Sequence, residues 1–298
     1  MKPTIHVAIA ILLHQDKVLV GWRQAEQHQG NKYEFPGGKV EQGETALAAC
    51  RRETYEEVGI DLQDWHIFQI IRHEYEDVMV NLHVFHGTVS RALLSEIQPP
   101  WTWYRRTELP DLNFPTANQA IIKRLYWVQQ IKISPQLQAL QQLQAGQLMY
   151  WRAEGTQAQL IELAALSVEH LARLIVNIEL YQQLNSIQQQ AISTIHLKQN
   201  QVMAFKADDL QQGRRYLAAC HDLLSMQQAV QIGCDAILLS PVLATTSHPE
   251  ATVLGWDQFK YLAGKVDIPV FALGGIQASD LSLAQEHGAY GIAGIRFL

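Results

Sequence analysis

Gly38-Lys39-Val40-Glu41-Gln42-Gly43-Glu44, continuing to Arg52-Glu53-Thr54-Tyr55-Glu56-Glu57-Val58-Gly59-Ile60, decides how the first part of this chain is read. A glycine-rich loop feeds a short helix, and Gly59 suits a left-handed C-cap. Leu47, Cys50, Thr54 and Val58 recur every three or four residues and predict the buried stripe. Glu53, Glu56 and Glu57 stand at i, i+3 and i+4, so their carboxylates leave the helix together and repel one another. A hard divalent cation, which takes oxygen ligands from carboxylates and substrate phosphates, offsets that repulsion. Arg52 is placed to pair with one carboxylate and hold it. A plain solvated acidic face is the alternative.

The whole pattern resembles the Nudix box: Gly38, Glu44, Arg52-Glu53, Glu56-Glu57, Gly59 and Ile60 all match, and only Thr54 departs, where a larger aliphatic residue is usual. The resemblance implies a Mg²⁺-dependent (or Mn²⁺-dependent) hydrolase of diphosphates linked to another moiety. Residues 1–130 are further similar to the MutT type of that family. The carriers are Arg23, the segment His28 to Gly38, and Phe114-Pro115-Thr116-Ala117-Asn118. This closer resemblance implies a Nudix α/β/α sandwich that hydrolyses 8-oxo-dGTP to 8-oxo-dGMP and pyrophosphate, a nucleotide-pool sanitising step tied to DNA repair. Arg23, His28, Glu34, Phe35, Pro36, Gly37 and Asn118 then line the nucleotide site. The Gly37 carbonyl, Glu53, Glu56, Glu57 and Glu96 bind metal, with Glu108 as the fallback for Glu96. Glu53 or Glu44 serves as base or orients water, Lys39 neutralises phosphate charge, and Arg52 positions carboxylates. The plain readings are an ion pair for Arg23, core for Phe35, and an N-cap for Asn118.

Composition frames these expectations. The chain has 298 residues, 48% of them apolar and 17% charged, enough for two ordinary domains. A net charge of −6 speaks against a polyanion-binding surface, so no nucleic-acid partner is expected. Cys50, Cys220 and Cys234 show no metal-type spacing and fit a reducing cytosol. The N-terminal residues read as a β-hairpin turning at His14–Lys17 rather than as an export signal, and no run suits a membrane span. A cytoplasmic enzyme without a membrane partner is the expectation. Trp65–Ile71 and Val78–Val89 read as strands, Ala92–Leu109 as loop, and Ala117–Leu125 as a helix.

From Ile131 onward the class is α/β again. A Gln-rich surface helix is predicted from Pro135 to Ala145. Apolar runs at Ile131–Ser134, Gln147–Arg152, Ala172–Asn177, Ser193–Lys198, Arg214–His221, Ala236–Val242, Pro269–Gly275 and Gly291–Phe297 alternate with amphipathic helices. Such alternation means a parallel sheet, and about eight repeats suggest a (β/α)8 TIM-type barrel without its last helix over residues 131–298. Gly274, Gly275 and Gly294 fall where barrels bind phosphate, unless they only make tight turns.

This half resembles the thiamine-phosphate synthase and thiazole tautomerase family. The carriers are Ala219-Cys220-His221-Asp222, Gly233-Cys234-Asp235-Ala236, Ser240-Pro241-Val242 with Thr245-Thr246, and Asp267-Ile268-Pro269-Val270 through Gly274-Gly275-Ile276. The synthase pattern has Gln-x-Arg-x-Lys for pyrophosphate; here Tyr150-Trp151-Arg152-Ala153-Glu154 keeps Arg152 and puts Glu154 at the lysine. Its metal-binding Asn-Asp pair is here Asn177-Ile178. Lost charge argues against synthase activity, while His221 stands where the tautomerase has a histidine, packing being its plain reading. Besides a nucleoside triphosphate substrate, a small phosphorylated ligand in the barrel is expected, with Arg152, His221, Gly274, Gly275 and Gly294 as candidates. The alternatives are hydrolysis of a thiamine-pathway diphosphate, and a non-catalytic ligand-sensing barrel that regulates the hydrolase.

Overall fold

A computed structural model describes residues 2–25, 30–192, 194–245 and 250–297. The chain forms two compact units, Met1–Trp127 and Val128–Leu298. His28, Ser193 and Thr246 lie outside the described residues.

The first unit is built on a seven-stranded mixed sheet of β1 (Thr4–His14), β2 (Lys17–Arg23), β3 (Lys32–Glu34), β4 (Gly37–Lys39), β5 (His66–Glu74), β6 (Met79–Thr88) and β7 (Thr102–Arg105). Its main path runs β3-β2-β1-β6-β5, with β4 on β1 and β7 on β2. Central β1 is buried on both faces, as its unbroken apolar run requires. Ala8, Ala10 and Leu12 pack with Ala49, Cys50 and Val58 of α1 (Ala46–Val58). Ile9, Ile11 and Leu13 face Ile121, Ile122 and Leu125 of α2 (Gln119–Leu125). Small residues toward α1 let that helix approach closely, and a helix on each face makes the α/β/α sandwich.

Local signals set the ends of α1. Thr45 Oγ1 accepts from Ala48 N–H at 3.1 Å, and Gly59, at φ 88°, closes the helix with its N–H on the Tyr55 carbonyl. The stripe differs from expectation at one place: Leu47 is exposed, and Ala49 joins Cys50, Thr54 and Val58 in the core. Residues 92–109 are also more ordered than a loop, since β7 pairs with β2 there.

The second unit closes eight parallel strands in the order β10-β11-β12-β13-β14-β15-β8-β9. They are β8 (Gln130–Ser134), β9 (Gln147–Trp151), β10 (Leu174–Asn177), β11 (Thr194–Leu197), β12 (Arg215–Cys220), β13 (Ala236–Leu239), β14 (Val270–Leu273) and β15 (Gly291–Gly294). The predicted surface helix after β8 is a 3₁₀ segment, Leu137–Gln142, whose Leu137 and Leu140 are buried. Among the described residues no helix follows β15. Phe297 folds back instead, and its carbonyl accepts from buried Lys132 Nζ at 2.7 Å. No helix of the described residues is long and apolar enough to cross a membrane.

Candidate active site and barrel pocket

Pairing of β4 with β1 brings the glycine-bearing strand under α1. Gly37, at φ 147°, comes so near β1 that a Cβ would sit 2.1 Å from the Ala8 carbonyl oxygen. A Cβ on Gly38 would sit 2.1 Å from Glu53 Oε1. Glycine at 38 therefore makes room for a carboxylate.

Arg52 gathers the acidic groups. Its Nε and Nη2 donate to the two oxygens of Glu44, each at 3.1 Å. Nη1 donates to Glu53 at 2.8 Å and to Glu56 at 3.3 Å, and Nη2 also reaches the Lys39 carbonyl at 3.2 Å. Hydrogen bonds from Arg52 hold the Glu44 carboxyl below the usual range, and those to Glu44 and then Glu53 raise the guanidinium. This fork ties the loop of residues 39–44 to the helix, as a bidentate guanidinium does and an ammonium does not.

Glu57 is the other pole. Its Oε2 accepts from Gly37 N–H at 2.9 Å. Burial of the carboxyl, followed by the nearby charges of Glu53 and Glu34, pushes its pKa up to about 7 even though the Gly37 hydrogen bond pulls the other way. The residue itself keeps solvent access. Arg23 and Glu34, paired across β2 and β3 at 2.7 Å, lie close enough to Glu57 for both charges to act on it. The structure thus brings Arg23 and Glu34 beside Glu53 and Glu57.

The other expected site residues divide between core, turn and cleft. Phe35 and Pro36 are buried; the Phe35 ring stacks on Phe114 at 4.8 Å, and the Pro36 carbonyl accepts from Ala10. Asn118 occupies the N-cap position of α2 without capping it through its side chain, and is buried. Glu96 is exposed on the loop whose backbone packs against Gly59 at the far end of α1. Glu108 accepts from Arg105 N–H, which makes it a local turn partner. Lys39 and Glu44 line a cleft of about 510 Å³ with His6 and His83, whose ring nitrogens meet at 2.9 Å.

A divalent ion fits this donor set. Glu57 is crowded by Glu53 and Glu34 beyond what Arg23 offsets, and carboxylate oxygens suit a hard cation. Among the described residues no three acidic, His or Cys side chains already converge on one point; Glu53 and Glu56 are turned to Arg52, and Glu57 to Gly37.

In the second unit, a pocket of about 960 Å³ opens at the carboxyl ends of the strands. Arg152, His221 and Gly274 line it. Gly275 and Gly294 do not, contrary to expectation: a Cβ on Gly294 would sit 2.4 Å from the Phe297 ring, so that glycine serves packing. Gly274 and Gly275 have φ of 99° and 71° and press against Pro241 and Ala244. His221 Nδ1–H donates to the Ser240 carbonyl at 2.6 Å, which fixes the orientation of the ring. Sequence reading passed over His196 and Lys198 in the same pocket. Their signal was a histidine and a lysine two apart at the end of an apolar strand.

Acidic side chains gathered by one arginine over a glycine-bearing strand, on an α/β/α sandwich, define a Nudix-type hydrolase domain; the eight-stranded parallel barrel is a TIM-type domain. Comparison with known proteins agrees. Residues 7–124 match the NUDIX domain model, and residues 135–298 match the thiamine monophosphate synthase model. The 8-oxo-dGTP diphosphatase of Escherichia coli (strain K12) is 34% identical over 128 residues, which span 41% of this chain and 95% of that protein. The putative thiamine-phosphate synthase 2 of Aquifex aeolicus (strain VF5) is 47% identical over 77 residues, 26% of this chain and only 41% of that protein. A MutT protein structure from Methanosarcina mazei Go1 aligns at 24% identity and a TM-score of 0.37, covering 42% of this chain and 94% of that one. The chain belongs to the Nudix family through its N-terminal part and to the thiamine monophosphate synthase family through its C-terminal part.

Proposed function

We propose that the N-terminal unit is a Mg²⁺-dependent nucleoside triphosphate diphosphatase that converts 8-oxo-dGTP and water to 8-oxo-dGMP and pyrophosphate, in the cytosol, as a nucleotide-pool sanitising step. One observation carries this reading. The charges of the Arg23–Glu34 pair act on the Glu57 carboxyl, so a nucleotide held at the former presents its phosphates to the carboxylates of α1. The similarity to 8-oxo-dGTP diphosphatases supports the choice of substrate.

Glu53, Glu56, Glu57 and the Gly37 carbonyl would hold Mg²⁺ (or Mn²⁺). The ion supplies polarisation of phosphate oxygens and a more acidic water. Glu44, committed through both oxygens to Arg52, fixes that arginine. Glu53 gives Oε1 to it, and we assign Glu53 to accept the proton of the water that attacks the β-phosphorus. Lys39, exposed on the loop, meets the phosphate charge. Asn118 offers a donor and an acceptor side by side to the purine edge.

Steady-state hydrolysis of 8-oxo-dGTP, dGTP and thiamine diphosphate with Mg²⁺ tests the reading in wild type and Glu57→Gln. The expected result is a strong preference for 8-oxo-dGTP that the variant abolishes. Equal or faster turnover of thiamine diphosphate would overturn the substrate assignment and leave the hydrolase in place.

A further inference from the structure

His196 lines the barrel pocket and, among the described residues, carries a buried polar atom with nothing to bond. His196, on β11, is 4% exposed and stacks on Tyr150 of β9 with ring centroids 4.2 Å apart. Among the described residues its Nδ1 has no hydrogen-bond partner. Burial pushes the ring's pKa down to about 3, and the charges of Arg152 and Lys198 push the same way, so the ring is neutral. An orphaned buried nitrogen is costly unless a ligand or water satisfies it. Arg152 and Lys198 stand exposed at the rim of the same pocket. Among the described residues the Lys198 ammonium pairs with Glu179 alone, an exposed pair at 3.0 Å and a weak interaction that an anion readily displaces.

The metal that the synthase family implies does not fit here. Asn177 spends its amide on the protein: Nδ2 donates to the His196 carbonyl at 3.1 Å and to Gln201 Oε1 at 2.9 Å, and Oδ1 accepts from Glu179 N–H. Ile178 beside it is buried in the apolar layer outside the barrel. Where the family's Asn-Asp pair would grip a cation, the chain therefore has a closed amide lock and a hydrocarbon. Among the described pocket residues the single acidic side chain is Glu250. A hard cation needs several oxygen ligands, and a pyrophosphate group needs either that cation or more positive charge than Arg152 and Lys198 supply.

We propose that the barrel pocket binds a singly phosphorylated ligand without any divalent cation, with the phosphate toward Arg152 and Lys198 and a polar group of the ligand at the His196 ring. The pocket is then a metal-free receptor site and not a pyrophosphate-releasing one. This holds whatever the hydrolase acts on.

Calorimetric titration of the full chain tests it, with thiamine monophosphate and inorganic phosphate as separate probes, first in EDTA and then in saturating Mg²⁺. The expected result is binding of thiamine monophosphate in EDTA that Mg²⁺ changes by less than about twofold. Arg152→Gln, at an exposed position that tolerates change, weakens it by about tenfold or more, the range of a charge-assisted hydrogen bond. His196→Phe, which keeps the stack on Tyr150 and removes the nitrogens, also weakens it. Binding of inorganic phosphate alone, lost in Arg152→Gln, supports the anion site with a different organic part. Tightening by tenfold or more in Mg²⁺, unchanged affinity in either variant, or no binding of either probe in EDTA overturns the proposal.

Discussion

The two sites handle charge in opposite ways. In the first unit burial, and then the charges of Glu53 and Glu34, push the Glu57 carboxyl up to about 7, while the Gly37 N–H and Arg23 pull the other way. In the barrel pocket Glu250 is the single acidic side chain among the described lining residues, Asn177 and Gln201 satisfy each other, and Arg152 and Lys198 stand at the rim. On the proposed readings, the first unit holds a cation and the barrel pocket binds its ligand without one. The difference teaches that fold and pocket outlast the charges on which a given chemistry depends, so chemistry has to be read from the site.

The strongest break of this comparison is at the crowded carboxylates. Glu57→Gln removes a ligand oxygen and the charge that Gly37 N–H holds in place. Hydrolysis should fall by roughly 10³-fold, the scale of losing a preorganised electrostatic group, measured as kcat/KM with Mg²⁺. Activity within tenfold of wild type would remove Glu57 from the site.

A second contrast concerns burial. His196 contributes stability as a neutral buried ring. Its folded pKa, about 3, lies below the ordinary 6.5, so the unfolded chain takes up the proton first as pH falls. Its contribution is therefore complete above pH 6.5 and is lost progressively down to pH 3. By pH 4.5 the loss should reach about 3 kcal/mol, from about 1.4 kcal/mol per pH unit. Urea unfolding of the barrel at pH 7.5 and 4.5 reads it, and His196→Phe should flatten that dependence. His86 in the first unit is also pushed down by burial but stays half exposed, so solvent shields it and its share is smaller.

Two glycines sharpen the contrast further. Gly38→Ala drives a methyl into Glu53 Oε1, which displaces a reacting group by about an ångström and should lower hydrolysis by ~10²-fold. Gly294→Ala drives one into the Phe297 ring, an overpacking that should destabilise the barrel by about 1–3 kcal/mol in urea unfolding.

Legibility in the sequence followed the length and regularity of each signal. All eight barrel strands were visible because buried parallel strands read as apolar runs. The carboxylates of α1 were visible because helical spacing turns sequence intervals directly into geometry. Strands β3, β4 and β7 were not, because each carries charged residues or glycine in place of an apolar run, and Gly37-Gly38 has no side chains to alternate. The stripe on α1 was misread at one position, since small Ala49 rather than Leu47 fits beneath Ala8 and Ala10. His196 and Lys198 gave only a weak signal, because the role of His196 depends on Tyr150 and Arg152, which lie on and just after another strand. The amide lock is likewise a pairing of residues 24 positions apart.

The smallest expected effect is at Thr54, the one departure within the box. In the barrel, departures removed charge from a site; here the departure is absorbed by the helix. Thr54 is 1% exposed, and its Oγ1 donates to the Cys50 carbonyl one turn back at 2.7 Å. The hydroxyl is thus satisfied within the helix and touches no carboxylate of the site. Thr54→Val keeps the shape and removes both the hydroxyl and its need for a partner. Because the back-bond only supplements the helical ladder, the net change should stay within about 1 kcal/mol. Urea unfolding should show that small shift, and kcat/KM for 8-oxo-dGTP should be unchanged. A tenfold loss of activity without a loss of stability would mean that the Thr54 hydroxyl sets the pitch of α1 and hence the spacing of Glu53 and Glu57, and the box would then depend on its core face as closely as on its acidic one.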